Sequence, residues 1–323
     1  MNRGADQRRA RQSLEVVYSV QNSLEQRLGQ GASDSLEKVL GDVWRRRSLQ
    51  GERLNSWLCG GQPSQQSAGA SPGADNPPKR ESASVDQAST GDPGQAQVLE
   101  RRELAPDLLI FKLSRPAGFG FTPGASVKIE LGGISRRYSL VSAPHEPFLE
   151  LFIELIPNGS MSSRWRSVAQ GDVVALHSPK AGLTLNANAH NHMLIATVTG
   201  VNPFVSMVRE AVHKGEAQQR FVLLHGASFA SELGYGSELA SIAAAKPQLL
   251  TYVPAVSRPD VIENSEWKGA QGRVGTHVEA LLGERGWTSR DTCLYACGNP
   301  DMVDDIERTW RARGFEVRTE RYK

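Results

Sequence analysis

The chain has 323 residues, enough for two globular domains with full cores, and its formal net charge of +2 gives no bulk electrostatic drive toward nucleic acid or membrane surfaces. Its cysteines, Cys59, Cys293 and Cys297, are too few and too scattered for a disulfide framework and cannot supply the thiolates of an iron–sulfur cluster. No apolar run is long enough to span a bilayer, the first residues lack an apolar signal core, and Asp6, Glu15 and Glu25 argue against a transit peptide, so a reducing, cytoplasmic setting is expected.

Residues 1–58 read as two short helices. Leu14, Val17, Tyr18, Leu24 and Leu28 recur at helical spacing as far as Gly29-Gln30-Gly31. A second helix is expected from the Ser33/Asp34 cap through Leu36, Val39, Leu40, Val43 and Trp44, with Arg45-Arg46-Arg47 near its negative end. This extension is either a solvated helical hairpin or a docking element for a partner. Residues 59–96 are dominated by Gly, Pro, Ser, Gln and Ala. A segment so poor in large apolar side chains cannot offset its ordering entropy and is expected to be a disordered linker.

From residue 97 the pattern turns to short strands: Gln97–Arg102, Leu108–Leu113, Ser126–Leu131, Arg136–Ser142, Leu149–Ile156 and Asp172–His177. Turn residues separate them, and one short helix is expected over Ser162–Ala169. Six strands without intervening long helices predict a closed antiparallel barrel over residues 97–188. Residues 189–323 alternate instead. Strands at Met193–Ala196, Phe221–His225, Leu249–Val253 and Thr292–Ala296 are interleaved with helices at Pro203–His213, Glu232–Ala244, Gly275–Gly283 and Asp301–Arg313. That order predicts a parallel, Rossmann-like α/β domain with helices on both faces.

Several stretches could carry chemistry. In Arg137-Tyr138-Ser139-Leu140-Val141-Ser142, a guanidinium fork suits a dinucleotide pyrophosphate, an aromatic ring suits an isoalloxazine, and a hydroxyl suits its N5/O4 edge. The same hexapeptide is also an ordinary half-buried strand. Gly159-Ser160-Met161-Ser162 opens a helix and is either an anion site or a plain N-cap. Thr197 through Pro203 joins the first strand of the α/β domain to its first helix, where a pyrophosphate can meet the positive helix end; it is equally a common strand–helix turn. Cys297-Gly298 ends the last expected strand, leaving room for a flat ring or forming plain core. Arg258 and Arg273 suit a 2′-phosphate but are also common surface residues. Glu320-Arg321-Tyr322-Lys323 by itself reads as an exposed tail.

Taken together and in order, these pieces resemble the ferredoxin–NADP reductase superfamily, especially the bacterial ferredoxin/flavodoxin–NADP reductases. The likeness covers residues 97–323, roughly 70% of the chain. It also rests on Leu223-Leu224-His225-Gly226-Ala227, Val256-Ser257-Arg258, Gly272-Arg273-Val274 and Cys297-Gly298-Asn299-Pro300. It implies an FAD-dependent enzyme that passes a hydride between NADPH and flavin and single electrons to or from a ferredoxin or flavodoxin. Arg137, Tyr138, Ser139 and Leu140 then correspond to the flavin strand, with Ser139 near N5, and Gly159, Met161 and Ser162 to the FAD pyrophosphate loop. Thr199, Gly200 and Pro203 correspond to the NADPH pyrophosphate turn and Arg258 and Arg273 to 2′-phosphate ligands. Cys297 corresponds to the residue beside the nicotinamide, and Glu320 and Tyr322 to the terminal acid and flavin-covering aromatic. The chain departs from the family in having Val198 where a glycine is usual, Asn202 where a small residue is usual, Ser228 where bacterial members often place arginine, and Lys323 in place of a terminal aromatic. A branched Val198 is expected to crowd a phosphate. Two rivals remain: a flavin-binding electron-transfer or regulatory subunit with weak nucleotide use, and a free-flavin reductase.

Overall fold

The computed structural model describes residues 94–216 and 218–322. The expected helical extension, nearly all of the expected linker, and Lys323 lie outside the described residues. Strand β1 (Gly94–Ala105) begins inside that linker, because its first four residues pair antiparallel with β6 (Val173–Leu176). The remaining strands of this half are β2 (Leu108–Ser114), β3 (Ser126–Leu131), β4 (Ile134–Ser139) and β5 (Phe148–Glu154). They form an antiparallel sheet in the order β4-β3-β6-β1-β2-β5.

Closure comes from the residues just after β4. Leu140 N–H donates to Ala125 O at 2.9 Å and Val141 N–H to Glu150 O of β5 at 2.9 Å, so this run bridges the two edges. Strand β2 shows why its sequence, Leu-Leu-Ile-Phe-Lys-Leu-Ser, lacks polar alternation. Leu109, Phe111 and Leu113 fill the barrel, while Leu108 and Ile110 pack outward onto the second domain. One end of the barrel is plugged by helix α1 (Ser160–Ser167). Its fully buried Trp165 packs 4.6 Å from Phe111, and its indole N–H donates to the Tyr138 hydroxyl at 2.8 Å.

The second half is a parallel sheet in the order β10-β9-β8-β7-β11-β12. It comprises β7 (Asn191–Thr197), β8 (Arg220–Ala227), β9 (Leu250–Val256), β10 (Ala270–Gln271), β11 (Thr292–Gly298) and β12 (Glu316–Arg321). Helices α2 (Asn202–Lys214), α3 (Gly236–Ala245), α4 (Val278–Arg285) and α5 (Pro300–Ala312) cover it. The two sheet faces read directly from strand alternation. Leu194 and Ala196 join α2, α3 and the outer barrel residues Ile110 and Phe152 in one core, and Met193 and Ile195 join α4 and α5 in the other. Among the described residues no helix is long and apolar enough to cross a membrane.

Three local expectations change. The helix expected from Glu232 starts at Gly236, because the Glu232 carboxylate accepts the amides of Ser228 (2.9 Å) and Phe229 (3.0 Å) and holds a short 3-10 turn at Ala230–Glu232. The helix expected from Gly275 begins as a 3-10 turn and becomes α-helical at Val278. The chain end is no exposed tail: Glu316–Arg321 is an edge strand paired in parallel with β11, setting Glu320 opposite Cys297.

Candidate functional site

In the parallel sheet the strand order reverses between β7 and β11, and ligands of such sheets gather at the carboxyl ends of those strands. Here those ends are Thr197 and Gly298, and they meet at close range. A Cβ on Gly200 would lie 2.2 Å from Cys297 O, and one on Gly298 2.3 Å from Thr197 Oγ1. Thr197 Oγ1 also accepts the Asn299 amide at 2.8 Å. With φ at +125°, Gly298 is required for conformation as well as space. Gly298→Ala is expected to lower stability by about 2–3 kcal/mol, read as a fall in the thermal midpoint.

The barrel presents its β4 edge to this point. Ser139, buried at the end of β4, donates its hydroxyl to Glu320 Oε1 at 3.1 Å, joining residues 181 positions apart. Burial raises the Glu320 carboxyl above the ordinary range, against the opposing Ser139 hydrogen bond and Arg137 charge. Cys297 is fully buried on β11, and burial, reinforced by the nearby Glu320 charge, pushes its thiol well up. Tyr322 N–H donates to Gly298 O at 3.1 Å, which brings its ring to the same place; burial and the Cys297 and Glu320 charges raise its hydroxyl well above the ordinary value. Ser139, Cys297, Glu320 and Tyr322 therefore converge. Glu320 Oε2 and the Tyr322 hydroxyl are buried there without hydrogen-bond partners, which leaves polar groups open to a ligand.

The other residues singled out by sequence lie around this point. Arg137 is exposed and donates to Ser126 O at 3.2 Å; Tyr138 is half-buried edge-on to Trp165; Leu140 is core. Gly159 caps α1, Met161 packs into the barrel core, and Ser162 Oγ accepts the Ile156 amide at 2.9 Å, folding the loop onto itself and leaving the first amides of α1 for an anion. Thr199 and Gly200 lie in a 3-10 turn (Val198–Val201) that leads into α2, with Pro203 in its first turn. Arg258 and Arg273 each stand two residues past the ends of the paired strands β9 and β10, whose register matches Val256 with Gln271, so the two exposed arginines share one sheet edge. Arg258 also lies 5.6 Å over the Phe229 ring.

Sequence reasoning missed the seam between the domains. Asn202 Nδ2 donates to Phe152 O at 2.8 Å and Ser206 Oγ to Ser142 O at 2.7 Å, tying α2 to the barrel. Asn202, taken from sequence only as a departure from a small residue, thus acts as a clasp. Val198 holds φ at +44°, a conformation that costs a β-branched residue about 1–3 kcal/mol. Its side chain packs against the core shared by α2 and the barrel. Strain at that turn, in a residue type that avoids it, is a mark of a functional segment.

Comparison with known proteins agrees with this architecture. Residues 95–184 match the oxidoreductase FAD-binding domain and residues 194–308 the oxidoreductase NAD-binding domain. Ferredoxin–NADP reductase A of Sorangium cellulosum is 29% identical over 238 residues, spanning 68% of this chain and 83% of that protein. A flavodoxin/ferredoxin–NADP reductase of Escherichia coli is 30% identical over 205 residues, spanning 58% and 77%. The crystal structure of a ferredoxin NADP+ reductase from Neisseria gonorrhoeae, with bound FAD and NADP, matches with a TM-score of 0.62 at 25% identity and spans 72% of this chain and 99% of that one. With its FAD-binding barrel, its NAD-binding sheet and this likeness, the chain belongs to the ferredoxin–NADP reductase superfamily and is an FAD- and NAD(P)-binding oxidoreductase.

Proposed function

We propose that the protein is an NADPH-dependent reductase that exchanges electrons with a separate ferredoxin or flavodoxin. The observation that carries this reading is the Ser139–Glu320 hydrogen bond at 3.1 Å beside Cys297 and Tyr322, at the meeting of the barrel edge and the strand-order reversal. FAD, when bound, supplies the conversion between a two-electron hydride and one-electron transfers. The protein's part is placement and exclusion of water. Arg137 and the amides of Ser160, Met161 and Ser162, with Gly159 turning the chain into α1, would hold the FAD pyrophosphate, with Tyr138 and Leu140 shaping the ring's strand side. Ser139 would hold the N5 edge, Tyr322 would cover the opposite face, and Cys297 would flank the nicotinamide. Thr199, Gly200 and Pro203 would receive the NADPH pyrophosphate at the positive end of α2, and Arg258 with Arg273 the 2′-phosphate. The chain's three cysteines cannot hold a cluster, which points to an external one-electron carrier.

Val198 favours a second reading, a flavin-binding electron-transfer subunit with weak nucleotide use, since a branched residue occupies the turn in a strained conformation. Anaerobic titration of the purified protein separates the two. Flavin absorbance that bleaches with NADPH before NADH, followed by reoxidation on adding ferredoxin or flavodoxin, is expected of the reductase. A bound flavin that neither nucleotide bleaches at millimolar levels would leave the subunit reading.

A further inference from the structure

His225 ends on the carboxyl side of β8, is fully buried, and belongs to no part of the catalytic cluster described above. One ring nitrogen, Nε2, lies 3.0 Å from Val198 O and the other, Nδ1, 3.2 Å from the Tyr252 hydroxyl. A carbonyl only accepts, so Nε2 carries the proton; Nδ1 then accepts from Tyr252, which sets the tautomer. Burial keeps the ring neutral, with its pKa lowered to about 4. The group it holds is the carbonyl of the one residue in the turn whose backbone is strained, Val198 at φ +44°. Because the peptide between Val198 and Thr199 is planar and trans, its C=O and N–H point in opposite directions. Drawing Val198 O down to His225 therefore aims the Thr199 amide away from β8.

We propose that His225 is a positioning residue for the nicotinamide nucleotide: it clamps the Val198 carbonyl, keeps a valine in a left-handed conformation, and so presents the Thr199 amide to the nucleotide's pyrophosphate. The inference rests on the placement of that pyrophosphate at the Thr199–Pro203 turn. It explains how the chain keeps a glycine-like turn without the glycine. A histidine fixed between a tyrosine and a carbonyl supplies from outside the turn what glycine would supply from within it.

The test is a double-mutant cycle on the oxidised, FAD-loaded protein, with NADP+ binding followed by calorimetry and FAD retention by absorbance. His225→Leu removes the donor and is expected to weaken NADP+ about tenfold, with FAD retained. His225→Gln keeps an N–H donor and is expected to stay within about threefold of the unaltered protein. In the Val198→Gly background, glycine adopts the turn unaided, so the same His225→Leu change is expected to cost less than about threefold. An equal loss in both backgrounds, or none in either, overturns the proposal and leaves His225 as ordinary core. Loss of FAD in His225→Leu, if the Val198→Gly pair also loses it, likewise assigns the residue to folding. If the unaltered protein itself binds no NADP+ at millimolar levels, the functional reading fails first and takes this inference with it.

Discussion

Replacing Ser139 by valine is expected to slow NADPH reduction of the bound flavin on the order of 10²-fold while leaving FAD bound. Valine is a favoured strand residue that replaces the one hydroxyl with two methyls, and Ser139 sits at a buried position at the end of β4. The backbone of β4 pairs with β3 from Ser126↔Ser139 onward and does not depend on the hydroxyl. What disappears is the 3.1 Å bond to Glu320 Oε1 and the hydroxyl proposed to hold the N5 edge. Glu320, already raised by burial, loses a contact that favours its charged form and rises further. Removing one preorganised donor at a reacting centre costs a factor of this size in other enzymes. Cys297→Ala is expected to slow the same step by a smaller factor, because the buried thiol contributes shape beside the site and only a weak hydrogen bond. Anaerobic stopped-flow reduction checks both. Unchanged rates with FAD retained would remove Ser139 and Cys297 from the reacting centre.

The barrel and the sheet were legible because their signals are local. Short branched and aromatic runs broken by glycine and proline mark β2, β3 and β5, and strand–helix alternation marks β7 through α5. The candidate site was legible only through a resemblance. Nothing in Glu320-Arg321-Tyr322 announces an edge strand; pairing with β11 is a long-range event that puts Glu320 opposite Cys297. Val198 shows the reverse failure. Propensity places valine in extended or helical backbone, yet it sits at φ +44°, because the turn is held by His225 from a strand 27 residues away. Asn202 reads in sequence only as a departure from a small residue and Ser206 as an unremarked helix position, but their side chains bond carbonyls of the barrel. Each of these was invisible for one reason: the partner lies in another element.

The seam those residues build carries the second large effect. Arg209 on α2 bonds Glu150 Oε2 at 2.7 Å, Glu238 through both Nε (2.7 Å) and Nη2 (2.8 Å), and Glu146 Oε2 at 3.3 Å, with its guanidinium 5.4 Å from the Tyr235 ring centroid. Its side chain is 14% exposed and that of Glu150 5%. Arg209→Met keeps much of the apolar stem but leaves the buried Glu150 without its closest ion partner and with the Glu146 charge nearby. Breaking such a buried pair is expected to cost about 3–5 kcal/mol near neutral pH. For a folded unit of this size that is a fall of about 10 °C in thermal midpoint. The sign of the pH dependence follows from Glu150. Burial raises its pKa, and Arg209, with a smaller contribution from Lys112, opposes the rise while Glu146 adds to it. A carboxyl raised in the folded state contributes stability that is present below its unfolded pKa and is lost as pH climbs through the folded value. Without Arg209 the rise is larger, so the loss is larger and extends to higher pH. The deficit of Arg209→Met relative to the unaltered protein is therefore expected to be greater at about pH 8 than at about pH 5, where Glu150 can take up its proton. Melting curves at both values decide the matter: a deficit that is the same at each would mean that Glu150 does not change protonation between them and that the loss comes from the other partners of Arg209, Glu238, Glu146 and the Tyr235 ring.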